Sequence, residues 1–432
     1  MSDIPILHVV GVQRTGQHAV ISWLIGHFDK VAFKNNMSYS NRASLGFVPP
    51  YWYFKPNEKD EWESIDKYKN DERFKILNID HTESQGVCWA RNMVQHLYNG
   101  EKYTLQLDSH HRFTKNWDEE LINMLEDLQK QGHKKPLITA YIPSFNPEND
   151  PAERVQEPWK MTFDRFIPEG AVFFLPAAFN KEKDDLTKPM LGRFYSAHFA
   201  FTLGCFCKEV KHDPNYYFHG EEISIAVRAF THGYDIFYPH KVLVWHEYTR
   251  RGRTKQWDDD KGWGERNRLS HERNRKLFEM DGAKKDIKFG IYDFGTERTL
   301  EDYEKFSGLC FRRRAVTQDV IDHELPSFEN LKLTDEEFNA NLLDIFKHCI
   351  DISYDKVPEE DYDFWCVAFK DEKGNDMYRK DADVNEIKQM KKDPDKYCKV
   401  WRTFSTQKRP TSWLVWPHSV SKGWCDPITG HI

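Results

Sequence analysis

Residues 100–113 read GEKYTLQLDSHHRF. Tyr103 to Leu107 have the side chains of a strand. The run then breaks into a carboxylate, a hydroxyl and two imidazoles at Asp108, Ser109, His110 and His111. Upstream, GVCWARNMVQHLY (86–98) carries helical spacing and stops at Asn99-Gly100, with Thr82-Glu83-Ser84-Gln85 in the form of a capping box before it. Downstream, WDEELINMLEDLQKQG predicts a helix and KPLITAY a strand. Strands that alternate with helices predict an α/β domain with a mixed, mostly parallel sheet. In such sheets ligands gather at the carboxyl ends of strands, which is where Asp108 stands.

Asp108 and His110 flank one residue, so in a strand-to-loop turn both can face one cation. A carboxylate oxygen and an imidazole nitrogen suit Mn²⁺ or a similar divalent ion that also takes phosphate oxygens. Taken alone, D-x-H fits an ordinary polar turn as well as a ligand pair.

The chain has 432 residues, enough for two or more domains. With 62 Lys and Arg against 69 Asp and Glu the net charge is -7, which argues against nucleic acid as a partner. The 14 Trp, 19 Tyr and 30 Phe are many, and such aromatics fill cores and also line sugar-binding surfaces. No apolar run approaches the roughly 20 residues of a membrane span, and the start, MSDIPILHVVGVQRTG, has no signal-peptide pattern. The eight Cys form no CxxC pair. A reduced, cytoplasmic protein with no membrane partner is expected.

At the N-terminus ILHVVGV (6–12) predicts a strand, GQHAVISWLIGHF a helix and KVAFKNN a second strand. Residues 35–70 read as a long connection and FKILNI (74–79) as a strand. Beyond residue 325, LTDEEFNANLLDIFKHCI predicts a helix, and YDFWCVAFKDEKGNDMYRK a hairpin around Gly374-Asn375. The expected domains are 1–50, 51–324 and a small β-rich unit at 325–432.

The block GVCWARNMVQHLYNGEKYTLQLDSHHRF (86–113) resembles the GlcNAc-transferases that modify hydroxyproline on an F-box ubiquitin-ligase adaptor, with their phage relatives. More distantly it resembles the polypeptide GalNAc-transferases. YYFHGEEISIAVRAFTHGYDIFYPHKVLVWHEY (216–248) and RFYSAHFAFTLG (193–204) look like the acceptor-side segment and the donor-sugar loop of those enzymes. The resemblance implies a GT-A-like (Rossmann-like) glycosyltransferase domain holding a metal with Asp108, His110 and His246. It implies UDP-GlcNAc as donor, Mn²⁺ or another divalent cation, a protein or peptide acceptor and retention of configuration. Arg91 would lie near the nucleotide, with Ser196 and His198 in the donor loop.

Several residues keep a plainer reading beside the functional one. His246 suits an aromatic packed beside Trp245 as well as a third ligand. Glu221 and Glu222 are ordinary at a helix start, or one of them orients or deprotonates the acceptor hydroxyl. TRRGRTK (249–255), with Arg251 and Arg253, is a solvated loop or a lid over a diphosphate. VVGVQRTGQHAVISWL departs from the family and resembles the phosphate loop of sulfotransferases. It either replaces the family's first strand-helix-strand unit or is a fused remnant. A sulfotransferase-like enzyme and a non-catalytic sugar-binding module are the alternative functions.

Overall fold

The computed structural model of the chain describes residues 6–9, 21–24, 75, 77, 79, 83–108, 110–249, 257, 260–394 and 396–432. It divides into two compact units, Met1–Arg312 with Asp319–Lys332, and Arg313–Gln318 with Leu333–Ile432.

In the first unit, β1 (Ile6–Val9) and β2 (Ile21–Leu24) pair antiparallel, with Ile6 opposite Leu24 and Val9 opposite Ile21. This corrects the helix expected through Ile21–Leu24. Ile and Trp are strand-favouring residues, and pairing with β1 supplies the backbone partners that four residues of helical spacing could not. Gln13–Gln17 and the strand KVAFKNN lie outside the described residues. Of FKILNI, Lys75, Leu77 and Ile79 are described, and none of the three is in a strand.

Helix α1 (Val87–Gln95) starts at Gly86, not at the capping box, whose Thr82 lies outside the described residues. Gly86 has φ 119°, and a Cβ there would stand 2.7 Å from the Tyr217 carbonyl oxygen. Only glycine fits that close approach. β3 (Tyr103–Leu107) follows, buried along its whole length, then the short β4 (His111–Phe113). Helix α2 (Trp117–Lys130) buries Leu121, Met124, Leu125 and Leu128, a stripe at spacings of three and four. Next come β5 (Pro136–Thr139), the paired β6 (Trp159–Phe166) and β7 (Val172–Ala178), β8 (Met190–Leu191) and β9 (Phe199–Leu203). Helix α3 (Glu221–Thr231), β10 (Asp235–Tyr238) and β11 (Val244–His246) complete the frame of the site.

The main sheet has the order β3-β9-β5-β10-β8. β5 and β10 run parallel, whereas β3–β9, β5–β9 and β10–β8 are antiparallel. The mixed α/β class stands, but the described sheet is mostly antiparallel. The reason is β9, which returns between β3 and β5 without a crossover helix, a connection that alternation of strands and helices does not foretell. Its start lies level with the ends of its neighbours, since Leu107 faces Phe199 and Thr139 faces Ala200. β1 lies alongside β3.

The second unit is β-rich. β12 (Ala315–Val316), β13 (Leu343–Ser353) and β16 (Tyr397–Thr406) form one antiparallel sheet. β14 (Tyr362–Lys370), β15 (Asp376–Arg379), β17 (Ser412–Ser419), β18 (Gly423–Trp424) and β19 (Ile428–His431) form the other. Phe346, Ile350, Trp365, Val367, Val400 and Val415 from both sheets share one core. The hairpin turns at Gly374, φ 82°. The helix expected across 333–350 covers only Asp335–Ala340; LDIFKHCI, from Leu343, belongs to strand β13. Its ten-residue register with β16 satisfies backbone groups along its length, and that long-range pairing outweighs local helical spacing.

Candidate metal and sugar-transfer site

Asp108 leaves the end of β3, and its backbone N–H donates to the His198 carbonyl at 3.2 Å. His110 precedes β4, which pairs antiparallel with β11 so that His111 faces His246. The backbone of His246 is fixed on its other side as well. Its N–H donates to Pro143 O at 2.9 Å, and its carbonyl accepts from Phe145 N at 3.3 Å. Glu247 N donates to His110 O at 3.1 Å. Two strands and a loop thus bring the distant His246 to the turn that carries Asp108 and His110.

The ligand atoms of Asp108, His110 and His246 all lie within 4.8 Å of one another. His246 Nε2 is 3.6 Å and His110 Nε2 3.9 Å from Asp108 Oδ2. Ligands each about 2.1 Å from one ion would stand roughly 3.0–3.5 Å apart, so the arrangement fits a cation after a small contraction. One hard oxygen and two imidazole nitrogens are a donor set for Mn²⁺ or a similar divalent metal.

Arg91, from α1, lies behind the carboxylate. Its guanidinium donates to Asp108 Oδ1 at 3.1 Å and to Glu221 Oε1 at 2.7 Å. Burial opposes the charge on Arg91, and Glu221 and Asp108 more than restore it. Glu221 is buried, which alone would raise its pKa; Arg91, His212 and the Cys88 thiol instead hold it down at about 2. The Cys88 S–H donates to Glu221 Oε2, and burial pushes that thiol well up.

Glu222, the next residue, is in a different state. Its Oε1 accepts from the Ala197 N–H at 2.9 Å and its Oε2 from the Tyr141 hydroxyl at 2.7 Å. Burial pushes its carboxyl up to about 7 against those two bonds. One carboxylate of the pair is locked ionised; its neighbour can change charge near neutrality.

His198 and Ser196 are both buried, and their polar atoms meet protein partners. Ser196 Oγ is 3.1 Å from His198 Nδ1, and His198 Nε2 accepts from Ile142 N at 3.3 Å. The His198 ring stacks on His246 at 4.4 Å. Arg251 and Arg253 lie outside the described residues.

Sequence reasoning missed His111, Tyr141, Tyr248, Cys88 and His212. His111 Nδ1 is 2.6 Å from the Asp108 carbonyl, so it props the turn that carries two ligands. Tyr248 stands edge-on to His246 at 4.4 Å, and its hydroxyl donates to Ile142 O at 2.8 Å. The spacing H-E-Y carried that signal, because residues two apart in an extended chain share a face. Tyr141 follows the end of β5 and was open to the strand-end rule used for Asp108. Cys88 and His212 carried none.

Residues 51–313 match the family model described as Glycosyltransferase (GlcNAc). The chain belongs to this glycosyltransferase family. No curated protein matches it. Among solved structures it is similar to that of GalNAc-T7 with UDP, GalNAc and Mn2+, at 11% identity and a TM-score of 0.39. The match covers 88% of this chain and 64% of that one, so the chain spans less than two thirds of that protein's length.

Proposed function

We propose that the glycosyltransferase moves GlcNAc from UDP-GlcNAc to a hydroxyl on a protein or peptide, with retention, in a GT-A-like domain. The observation that carries this is the convergence of Asp108, His110 and His246 in a family member. These three residues would hold Mn²⁺ or another divalent cation, which when bound offsets charge on the nucleotide diphosphate as a Lewis acid.

The chain's own groups do the rest. Arg91 fixes the Asp108 carboxylate, and Glu221 keeps Arg91 charged and in place. His111, His198 and Tyr248 orient the ligand-bearing turns. Ser196 and His198 wall the donor-sugar side. Arg251 and Arg253 would offer positive charge to the diphosphate. Glu222, partly ionised at neutral pH, orients the acceptor hydroxyl, whereas Glu221 is tied to Arg91 and Cys88. Front-face attack passes the hydroxyl proton to the departing phosphate oxygen, which preserves configuration. β1 alongside β3 supports an N-terminal segment that completes the sheet rather than a fused remnant. Eight free cysteines support a reduced, cytoplasmic location. No helix among the described residues is long and apolar enough to cross a membrane.

The resemblance motivates a hydroxyproline peptide as first acceptor. The test is UDP formation from UDP-GlcNAc with Mn²⁺, with and without that peptide. UDP release abolished by EDTA and by Asp108→Asn supports the proposal; release indifferent to both would sink it.

A further inference from the structure

The outer face of the sheet β15-β14-β17-β18 carries aromatic rings that the core of the second unit does not use. Side chains alternate along a strand. Trp365, Val367 and Phe369 on β14 and Val415 on β17 enter the core, which turns Phe364, Cys366, Trp416 and His418 outward. The register sets Trp416 opposite Cys366, and His418 between Phe364 and Trp424. Trp416 and Trp424 lie 4.5 Å apart, His418 5.1 Å and Phe364 5.4 Å from Trp424. Trp416 is 36% and Trp424 48% exposed. Adjacent indoles left in water forgo the gain of burial, and clustered exposed apolar rings mark binding surfaces.

Two polar atoms of this cluster are already held. Trp416 Nε1 donates to Cys425 O at 2.8 Å, and His418 Nδ1 is 2.7 Å from Asp363 Oδ1. Those two rings therefore offer a partner their faces. Beside it, Arg379 holds Asp381 through two bonds of 2.9 Å each. Arg379 pairs with Ala368, which shares the outward face of β14 with Cys366.

This combination selects a ligand class. A pyranose has a face of polarised C–H bonds, suited to the negative face of an aromatic ring. Its rim of vicinal hydroxyls gives and accepts hydrogen bonds, as a guanidinium beside a carboxylate requires. The Arg379–Asp381 pair is neutral overall, which favours an uncharged sugar over a nucleotide phosphate, and its polarity disfavours a purely apolar segment. We propose that Trp416, Trp424, Arg379 and Asp381 form a carbohydrate-binding site for a pyranose of a glycan. The site is separate in its residues from the transfer site and needs no metal.

The test uses the full chain in EDTA without nucleotide, so its outcome does not depend on sugar transfer. Tryptophan fluorescence and calorimetry follow titration with N,N′-diacetylchitobiose, cellobiose and maltose. Saturable binding of at least one disaccharide is expected. It should weaken at least tenfold in Trp416→Ala and Trp424→Ala. It should be unchanged in Asp108→Asn and in Trp401→Ala, an exposed Trp on the other sheet. Should either alanine variant lose its circular dichroism, Trp424→Phe and Arg379→Ala decide. The first should bind within about threefold of the parent chain and the second about tenfold more weakly. No saturable binding of any of the three sugars, or binding that survives loss of either indole or of Arg379, overturns the proposal.

Discussion

His246 Nε2 stands 3.6 Å from Asp108 Oδ2, although Asp108 follows a strand of the main sheet and His246 ends a strand of the separate β4–β11 pair. Convergence of this kind gives a ligand set its affinity, because the fold has already brought the donors together. Asp108→Asn keeps the shape and removes one charge. It should lower UDP formation on the order of 10²–10³-fold, a loss typical of removing one electrostatic contact to a developing anion. His246→Ala should weaken Mn²⁺ binding by calorimetry. Mn²⁺ affinity equal to that of the parent chain in both variants would remove them from the metal site.

The two adjacent glutamates should separate in a simple comparison. Glu221→Ala leaves the buried Arg91 charge with one partner instead of two, and breaking such a pair costs about 3–5 kcal/mol. Urea unfolding would show it as a lower midpoint. Glu222→Gln should cost little stability at neutral pH, since the amide imitates a carboxyl that is already half protonated there. Its effect should fall on UDP formation with acceptor present.

The pH dependence of activity follows from Glu222. Its carboxyl, raised from the ordinary 4.5 to about 7, must be ionised to accept a hydrogen bond from the acceptor hydroxyl. kcat/KM should rise through about pH 7, and in Glu222→Gln this rise should vanish. A profile flat from pH 6 to 8 in the parent chain would dismiss Glu222 from that role.

Stability should depend on pH with opposite signs at the two residues. Glu222 favours its protonated form in the fold, so its contribution is full below about 4.5 and is lost as the pH climbs through about 7. Glu221 is lowered to about 2, so its contribution is full above 4.5 and is lost as the pH falls toward 2. Unfolding free energies of Glu221→Gln and Glu222→Gln, measured against the parent chain from pH 2 to 8, test both signs.

Gly204→Ala should destabilise the first unit. A Cβ at this position would stand 1.8 Å from the Glu101 carbonyl oxygen, and backbone cannot yield as a side-chain tip can. Overpacking of this sort costs about 1–3 kcal/mol or more, readable as a lower thermal midpoint.

How much of this lay in the sequence depends on the range of each cause. Tyr103–Leu107, Trp117–Lys130 and the turn at Gly374 follow from nearest neighbours, and the sequence shows them. The D-S-H turn was legible because a strand that ends in ligands is a local pattern. The antiparallel return of β9 was not, since its partners are far along the chain. The conversion of LDIFKHCI from helix to strand has the same cause, a partner some fifty residues away supplying the hydrogen bonds. The contrast between Glu221 and Glu222 was illegible for another reason. It depends on Arg91, Cys88, Tyr141 and Ala197, and only folding decides which carboxylate meets which of them.

β9 has a consequence for anyone who would edit the chain. It is hydrogen-bonded along both edges, and just before it His198 accepts the Asp108 N–H while Ser196 N donates to Thr139 Oγ1 at 2.9 Å. One residue added or removed between Ser196 and Leu203 would turn every later side chain of the strand to the opposite face. It would also pull Asp108 and Tyr141 out of step together. The Asp371–Asn375 turn, exposed and closed by its own side chains, has no such duty. Tags, reporters and fused modules belong there, and the span before Leu203 admits no change of length.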